Sequence, residues 1–330
     1  MRGHLLEVDE VSALIRRGEV LLLAGAEGRL RRLPRGTWIA GTIPYFMSDE
    51  GGVVDRRRIF AETLPRGCEY VAIRCYDERG ISRAYADLPW NGMGIMIAPG
   101  GSRVHLSFAL NAPRYEKFAT APLFGWISGV HLSEIGSARP KVFDGSTGVV
   151  LDAHAVVMQV SLPPGKQVEL AILNLFEEGR GPAIAFPSTG FVATVADVDG
   201  RRCNFAQYVR EQGLDTRLPL VADYLGAKIN VSFQLVDADR GEVRFFAPVF
   251  AGARYHHARP VPDYVDAFVS ALPVGIGDRV TFSCNCVLNF LHSSLEGRKT
   301  GDIVGPMTFG EIGYQLLNQT MVYVVLTDGV

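Results

Sequence analysis

The sequence has no continuous apolar run of the roughly 18 residues that a membrane-spanning helix requires. Its first ten residues include the acidic side chains Glu7, Asp9 and Glu10, where a secretory signal needs an uninterrupted apolar core. From these two absences we expect no membrane insertion. They also favour a cytoplasmic location.

A strong net charge of either sign is also absent. The 330 residues include 33 basic and 35 acidic side chains, which gives a formal net charge of −2. The three arginines at residues 56–58 lie between a glycine pair and an apolar stretch, a pattern typical of a solvated turn. Proteins that bind nucleic acid normally carry a strongly basic face, so we expect no nucleic-acid partner.

Cysteine is scarce. The five thiols, an odd number, are Cys68, Cys75, Cys203, Cys284 and Cys286. A secreted domain held together by disulfides is usually shorter and has an even number of cysteines. The pattern is therefore typical of a reduced protein.

The motifs of the common nucleotide-binding and hydrolase sites are missing as well. The chain has no P-loop, no G-x-G-x-x-G after a predicted strand and no G-x-S-x-G. Residues 25–30, GAEGRL, follow an apolar run but lack the third glycine and a predicted helix behind it. The sequence thus gives no direct sign of a known catalyst.

The chain does contain enough apolar side chains for a substantial core. Hydrophobic residues make up 48% of the sequence and aromatic residues 10%, which argues against disorder. A chain of 330 residues favours two domains. Because the composition changes at residues 179–182, GRGP, we predict an N-terminal half over residues 1–188 and a C-terminal half over residues 189–330.

Short apolar runs between glycines and prolines predict mainly strands, with a few amphipathic helices among them. The helices are predicted over residues 9–17, 204–213, 263–272 and 287–295, and prominent strands over residues 20–25, 59–64, 153–162, 192–198 and 243–249. These elements predict an α+β protein, a layered sandwich of mixed and antiparallel sheets flanked by helices.

A weak internal repeat relates the two ends of the chain. The helix over residues 9–17 corresponds to that over 263–272, and the strand VLLLAG (20–25) to VTFSCN (280–285). In the same order, GTWIAGTIPYF (36–46) corresponds to GDIVGPMTFGEI (301–312), and IFAETL (59–64) to TMVYVVL (320–326). We therefore predict two related halves, although few identities distinguish this repeat from chance similarity of α/β units.

The segment SCNC (283–286) is a candidate reactive site because it joins an apolar strand to a predicted helix. A thiol at a helix N-terminus has a lowered pKa, so Cys284 or Cys286 could act as a nucleophile with His292. The spacing is not a common zinc pattern, and His292 is more than one helical turn from Cys286. Small buried cysteines at a tight junction are the competing interpretation.

Two further motifs carry polar groups. In TFGEIGY (308–314), two glycines surround Glu311, which could bind an amine or act as a base, or could simply be a solvated residue at a bulged strand end. His256 and His257 could ligate a metal or heme, but adjacent residues of a strand point to opposite faces.

The order of SCNC (283–286), TFGEIGY (308–314) and LNQTMVYVVL (317–326) resembles the C-terminal part of FIST domains. Residues 195–213 and 245–268 are similar to the strand, turn and helix segments of that family, and GTWIAGTIPYF (36–46) is a fainter match to its N-terminal half. The resemblance implies a stand-alone sensory protein that binds a small polar, amino-acid-like ligand and signals to a partner protein.

The same resemblance points to particular residues. It carries over Cys284 and Asn285 in the turn, Gly310 and Glu311 in the Gly-Glu motif, and Asn318 with Thr320 in the last strand. We predict one ligand site where the two halves meet, lined by Glu311, Thr308, Cys284 and Asn285 and faced by Thr42 and Tyr45. This interpretation requires no metal or cofactor; the alternatives are a thiol-dependent enzyme and a heme-binding sensor.

Overall fold

A computed structural model describes residues 3–64, 67, 70–224 and 227–328 of the chain. Cys68 lies outside the described residues. The structure is rich in strands, which form mixed and antiparallel sheets with a few helices on their outer sides. The predicted α+β class is therefore confirmed.

The first of three related units spans residues 4–63. Its elements are β1 (His4–Leu6), α1 (Val8–Arg16), β2 (Leu21–Gly25), α2 (Glu27–Leu30), β3 (Trp38–Thr42), β4 (Tyr45–Ser48), β5 (Gly51–Val54) and β6 (Ile59–Thr63). Strands β2 and β3 are parallel, β6 is antiparallel on the other side of β2, and β1 pairs with the outer edge of β6. Strands β4 and β5 form a hairpin.

Helix α1 shows how the sequence sets these elements. The sequence predicts a helix from residue 9, but the helix begins at Val8, because Glu7 and Glu10 form a capping box at its start. Val11 and Ile15 are buried against the sheet, as their helical spacing predicts. Gly18 follows the helix with φ of 80°, a conformation that glycine adopts without strain.

The second unit spans residues 70–161. Its elements are β7 (Tyr70–Tyr76), β8 (Gly92–Pro99), α3 (Arg103–Asn111), β9 (Leu123–Ser128), β10 (Val142–Asp144), β11 (Val149–Leu151) and β12 (Ala155–Ser161), with 3-10 turns at Gly80–Arg83, Ala112–Arg114 and Leu132–Glu134. Again the first two long strands, β8 and β9, are parallel, β12 is antiparallel beside β8, and β7 pairs with β12. Strands β10 and β11 form the hairpin.

The third unit begins with β13 (Lys166–Leu173) and is then interrupted by an inserted segment. The insert contains β14 (Ile184–Ala185), β15 (Gly190–Ala193), β16 (Val195–Val198), β17 (Arg201–Asn204), α4 (Phe205–Glu211), β18 (Leu220–Tyr224), β19 (Ala227–Val231), β20 (Phe233–Asp237), β21 (Glu242–Val249) and β22 (Arg254–His257). These strands form a six-stranded and a three-stranded sheet around a separate buried cluster.

The third unit resumes after the insert. Its remaining elements are α5 (Tyr264–Ala271), a 3-10 turn at Gly277–Arg279, β23 (Val280–Cys286), α6 (Val287–His292), β24 (Gly305–Thr308), β25 (Glu311–Gly313), β26 (Gln315–Leu317) and β27 (Met321–Asp328). Strands β23 and β24 are parallel, β27 is antiparallel beside β23, β13 pairs with β27, and β25 and β26 form the hairpin.

The three units interlock through their hairpins. The sheet orders are β1-β6-β2-β3-β10-β11, β7-β12-β8-β9-β25-β26 and β13-β27-β23-β24-β4-β5. Each sheet thus ends in the hairpin of another unit: the second unit completes the first sheet, the third completes the second, and the first completes the third.

The predicted repeat pairs β2 with β23, β3 with β24 and β6 with β27, and these strands do hold equivalent positions. Residues 70–161 add a third unit that the repeat did not include.

The sheets do not follow the predicted division at residue 188. That position lies between β14 and β15, within the insert. Strands from both sides of it pair with each other, as in the contacts of β13 with β27, β4 with β24 and β9 with β25. The C-terminal strands are therefore part of the same assembly as the N-terminal ones.

The inner faces of the three sheets share one buried core. One layer of this core contains equivalent residues from every sheet: Phe60, Ala24, Gly41 and Val142; Val156, Ile97, Trp126 and Glu311; and Val322, Cys284, Pro306 and Phe46. A Cβ atom on Gly41 would lie 2.5 Å from the Trp126 ring, so the first two sheets are in close contact here. Among these twelve residues Glu311 alone is of an acidic or basic type.

Candidate functional site

The Glu311 carboxylate, the central residue of the predicted site, is fully enclosed by protein. It has 0% exposure, and Thr320 donates both its backbone N–H (3.1 Å) and its hydroxyl (2.9 Å) to Glu311 Oε2. The Thr308 hydroxyl lies 3.4 Å from Oε1. Burial raises the pKa of Glu311 to about 8, despite these hydrogen bonds, which lower it. At neutral pH the group is therefore mainly a buried carboxylic acid.

The two thiols of the SCNC segment are buried beside this group. Cys284 donates to the Gly125 carbonyl oxygen at 3.2 Å, and Cys286 receives a weak contact from Asn318 Nδ2 at 3.9 Å. Burial and the neighbouring Glu311 raise the pKa of both thiols well above the usual range. Their environment is thus the opposite of the one that activates a nucleophile.

His292 does not complete a Cys–His pair. It is the last residue of α6, and within the described residues it makes no hydrogen bond to either thiol. Asn285 has a structural role at this junction, since its Oδ1 accepts from the Cys286 N–H (2.7 Å) and from Asn289 Nδ2 (2.9 Å). These contacts favour the scaffold interpretation of the SCNC segment over the thiol-enzyme alternative.

Asn318, in the turn before the last strand, connects the core to the insert. Its Oδ1 accepts the Ser232 N–H at 3.2 Å, and its carbonyl oxygen accepts from Asn230 Nδ2 at 3.1 Å. The neighbouring Gln319 donates to the Arg217 carbonyl oxygen at 3.1 Å. The Asn-Gln-Thr sequence therefore fixes the insert to the third unit.

In the described part of the chain, the cavity that Thr42 lines includes neither Glu311 nor Tyr45. The Thr42 hydroxyl accepts from the Lys141 N–H (2.9 Å), and the Tyr45 hydroxyl accepts from the Leu132 N–H (3.0 Å). The exchange of hairpins puts the three residues in different sheets: Thr42 on β3 in the first, Glu311 on β25 in the second and Tyr45 on β4 in the third. Gly310 and Thr308 remain with Glu311, where the Thr308 hydroxyl also reaches the Gly310 carbonyl oxygen at 3.1 Å.

A small cavity of about 290 Å³ lies beside Thr42, at the carboxyl ends of β2 and β3. Charged side chains of both signs line it, including Glu27, Arg56 and Glu134. Arg56 and Glu134 form an ion pair at 2.9 Å, and both are partly exposed. The Tyr45 ring stacks on His131, another lining residue, at 5.6 Å.

A larger cavity of about 660 Å³ occupies the equivalent place in the second unit, at the carboxyl ends of β8 and β9. One wall is the turn before α3 with the first part of that helix (Gly100, Gly101, His105 and Leu106), and another is the segment over residues 135–140. The remaining walls are apolar rings from the insert and from the third unit, namely Phe191, Phe245, Phe246 and Phe309. We call it the phenylalanine-walled cavity.

The sequence GGSRVH (100–105) determines the conformation of the turn that lines this cavity. Gly101 has φ of 73°, and Ser102 caps α3 by accepting the His105 N–H at 3.2 Å. The Gly-rich character of residues 91–101 was visible in the sequence, but its role as a cavity wall was not. The four phenylalanines come from three distant parts of the chain, and no local pattern joins them.

The described residues contain no group of three or more His, Cys, Asp or Glu side chains placed to hold a metal ion. His256 and His257 instead approach carbonyl oxygens, of Gly181 at 3.1 Å and Asp215 at 2.9 Å. Within the same described residues, no helix is long and apolar enough to cross a membrane.

The chain belongs to a family of unknown function, DUF6976, whose model matches residues 6–327. The matched residues include all three units and the insert. No curated protein matches the chain.

Proposed function

We propose that the protein binds a small molecule with an apolar body in the phenylalanine-walled cavity, and that this binding has a sensory role. The observation that supports the proposal is the cavity itself, at the ends of two parallel strands and beside the start of a helix. Its volume of about 660 Å³ lies within the range of roughly 300–1,000 Å³ that is usual for small-molecule sites.

The lining favours a ligand that is mainly apolar. Phe191, Phe245, Phe246 and Phe309 offer ring surface, and burial of apolar ligand area contributes about 25 cal/mol per Å². A few polar groups, among them His105 and Gln234, also line the cavity and would orient the ligand.

The position of the cavity supports a sensory role. Phe191 and Phe245 belong to the insert, whereas Ile127 and Phe309 belong to the second and third units. An occupied cavity would therefore contact both the insert and the core. Ligand binding could change how the insert packs on the core, and a signalling partner protein could recognise this change. Such a role agrees with the resemblance to FIST domains.

A second candidate is a small polar, amino-acid-like ligand in the cavity beside Thr42. The observation that favours it is the presence of both charge signs, since Glu134 would pair with an ammonium group and Arg56 with a carboxylate. This site retains Thr42 from the predicted set but not Glu311.

A thermal-shift screen of small molecules tests the first proposal with the variant Leu106→Trp. Leu106 is half-buried on α3 and lines the phenylalanine-walled cavity but not the smaller one, so the larger ring would occupy ligand space. We expect hits at 100 times their Kd to stabilise the wild type by about 2.7 kcal/mol, or roughly 5 °C in Tm, and to lose this effect in the variant.

Leu110→Trp is the matched control, because Leu110 lies one turn further along the same helix, is half-buried too and does not line the cavity. It should retain the shifts. Hits that stabilise Leu106→Trp as strongly as the wild type would contradict the proposal, and amino acids that do so would support the smaller cavity.

A further inference from the structure

The imidazole of His105 is an unusual feature of the cavity wall. The side chain is 6% exposed, and its Nε2 is buried with no hydrogen-bond partner among the described residues. A buried polar group without a partner costs roughly 1–3 kcal/mol, so its presence calls for an explanation. His105 lines the phenylalanine-walled cavity, where a ligand could supply the missing partner.

The hydrogen bond at the other ring nitrogen identifies which group is missing. The Gly101 N–H donates to His105 Nδ1 at 3.1 Å, so Nδ1 is an acceptor. Burial lowers the pKa of His105 to about 4, and the ring is therefore neutral at pH 7. A neutral imidazole that accepts at Nδ1 carries its hydrogen on Nε2. The unsatisfied group is thus an N–H donor, which requires an acceptor atom.

Two other features around the cavity favour an acceptor with negative charge. The cavity wall includes Gly100 and Gly101, directly before α3, and the N-terminus of this nine-residue helix favours anions. Arg139 also lines the cavity; its side chain is 83% exposed, and its nearest carboxylate, Asp152, is 3.6 Å away. Among the described residues that line this cavity there is no Asp or Glu, so an ammonium group would have no carboxylate in the cavity wall to pair with.

We infer that the ligand of this cavity is an organic acid with an apolar body, whose carboxylate accepts the His105 Nε2–H and lies near Arg139 while its body packs against the four phenylalanines. The inference rests on the proposed function of the cavity. It specifies the chemical class of the ligand and predicts that zwitterionic amino acids bind more weakly at this site.

The Phe191 ring lies beside the imidazole that carries the donor. It packs edge-on against the His105 ring, with ring centroids 6.1 Å apart, and it lines the cavity while remaining only partly buried. Because Nε2 is covered in this structure, a neighbouring side chain has to move before a carboxylate can reach it, and displacement of the Phe191 ring would open such a path. Phe191 belongs to β15 of the insert, so this displacement would transmit binding to the insert.

The test is calorimetric titration of the wild-type protein with matched pairs of acid and amide. The pairs are phenylacetate, 3-phenylpropionate, 4-methylpentanoate and octanoate, each with its own primary amide, and phenylalanine is added as the zwitterion. We expect at least one acid to bind about 10- to 100-fold more tightly than its amide, since a hydrogen bond to a charged group contributes roughly that factor. Phenylalanine should bind more weakly than 3-phenylpropionate.

Variants then assign the preference to His105. His105→Phe fills the ring volume without a donor and should remove most of the preference for the acid, whereas His105→Gln keeps an N–H near the position of Nε2 and should retain part of it. If His105→Phe does not fold, the acid–amide comparison on the wild type decides alone.

Equal affinities for every acid and its amide would overturn the inference while leaving the proposed function intact. The proposed function fails instead if bound compounds are insensitive to Leu106→Trp.

Discussion

Glu311→Gln is expected to remove a large pH dependence from the stability of the protein. Burial raises the pKa of Glu311 from 4.5 to about 8 in the folded state, so the folded protein binds a proton that the unfolded chain releases. The stability of the wild type should therefore fall as pH rises from about 4.5 to 8, by up to ~1.4 kcal/mol per pH unit and ~5 kcal/mol in total. Below pH 4.5 this contribution is fully present.

Urea unfolding at pH 5, 7 and 9 measures the effect. Other buried groups also titrate: the pKa of Glu62 is raised and that of His105 is lowered, with opposite effects on the slope. The difference between the wild type and Glu311→Gln cancels both, because they are present in each protein. Glutamine keeps an oxygen acceptor for Thr320 and cannot ionise, so its stability relative to the wild type should increase towards pH 9. If the free energies of unfolding of the two proteins depended on pH in the same way, Glu311 would not be protonated in the folded protein at neutral pH.

Gly125→Ala is expected to destabilise the protein by roughly 3–5 kcal/mol, the sum of backbone strain and overpacking. Gly125 lies in β9 with φ of 146°, and a Cβ atom there would lie 1.8 Å from the Met96 carbonyl oxygen of the neighbouring parallel strand. The contact is with backbone, so no side chain can move to relieve it. The loss of folded protein or of several kcal/mol in the free energy of unfolding is the measurable outcome.

Gly190→Ala is the matched control. Gly190 also lies in a strand, β15, but a Cβ atom there would meet no heavy atom within 4 Å. Its free energy of unfolding should change by less than about 0.5 kcal/mol. If both substitutions are tolerated equally, the close approach of β8 and β9 at Gly125 is not present in solution.

The strands of the first and third units could be predicted from the sequence, because each is a short apolar run next to turn residues. The correspondence of VLLLAG (20–25) with VTFSCN (280–285) could also be predicted, since each strand follows a predicted helix and precedes a turn. The second unit was not recognised as a copy. The exchange of hairpins could not be predicted either, because it depends on pairings such as Gly41 with Val142 that no local pattern specifies.

The candidate site shows the same limit. The motif TFGEIGY (308–314) made Glu311 a candidate site residue, but whether its side chain faces solvent, a ligand or the core depends on the sheet that β25 joins. It joins the second sheet, opposite Trp126, in a layer whose other members are neither acidic nor basic residues. Conversely, no motif in the sequence marks His105. His105 becomes a candidate site residue because it lines one cavity together with Phe191 and Phe309, which are distant from it in the sequence.

Titration of the tightest-binding acid into Glu311→Gln and Leu106→Trp, at pH 6, most directly tests the claim that the phenylalanine-walled cavity, and not the Glu311 cluster, is the ligand site. Glu311 is enclosed and does not line the cavity, so we predict that Glu311→Gln binds within about twofold of the wild type. Leu106→Trp should bind at least about tenfold more weakly, as expected when ligand space is filled. Loss of binding in Glu311→Gln together with full binding in Leu106→Trp would contradict the account.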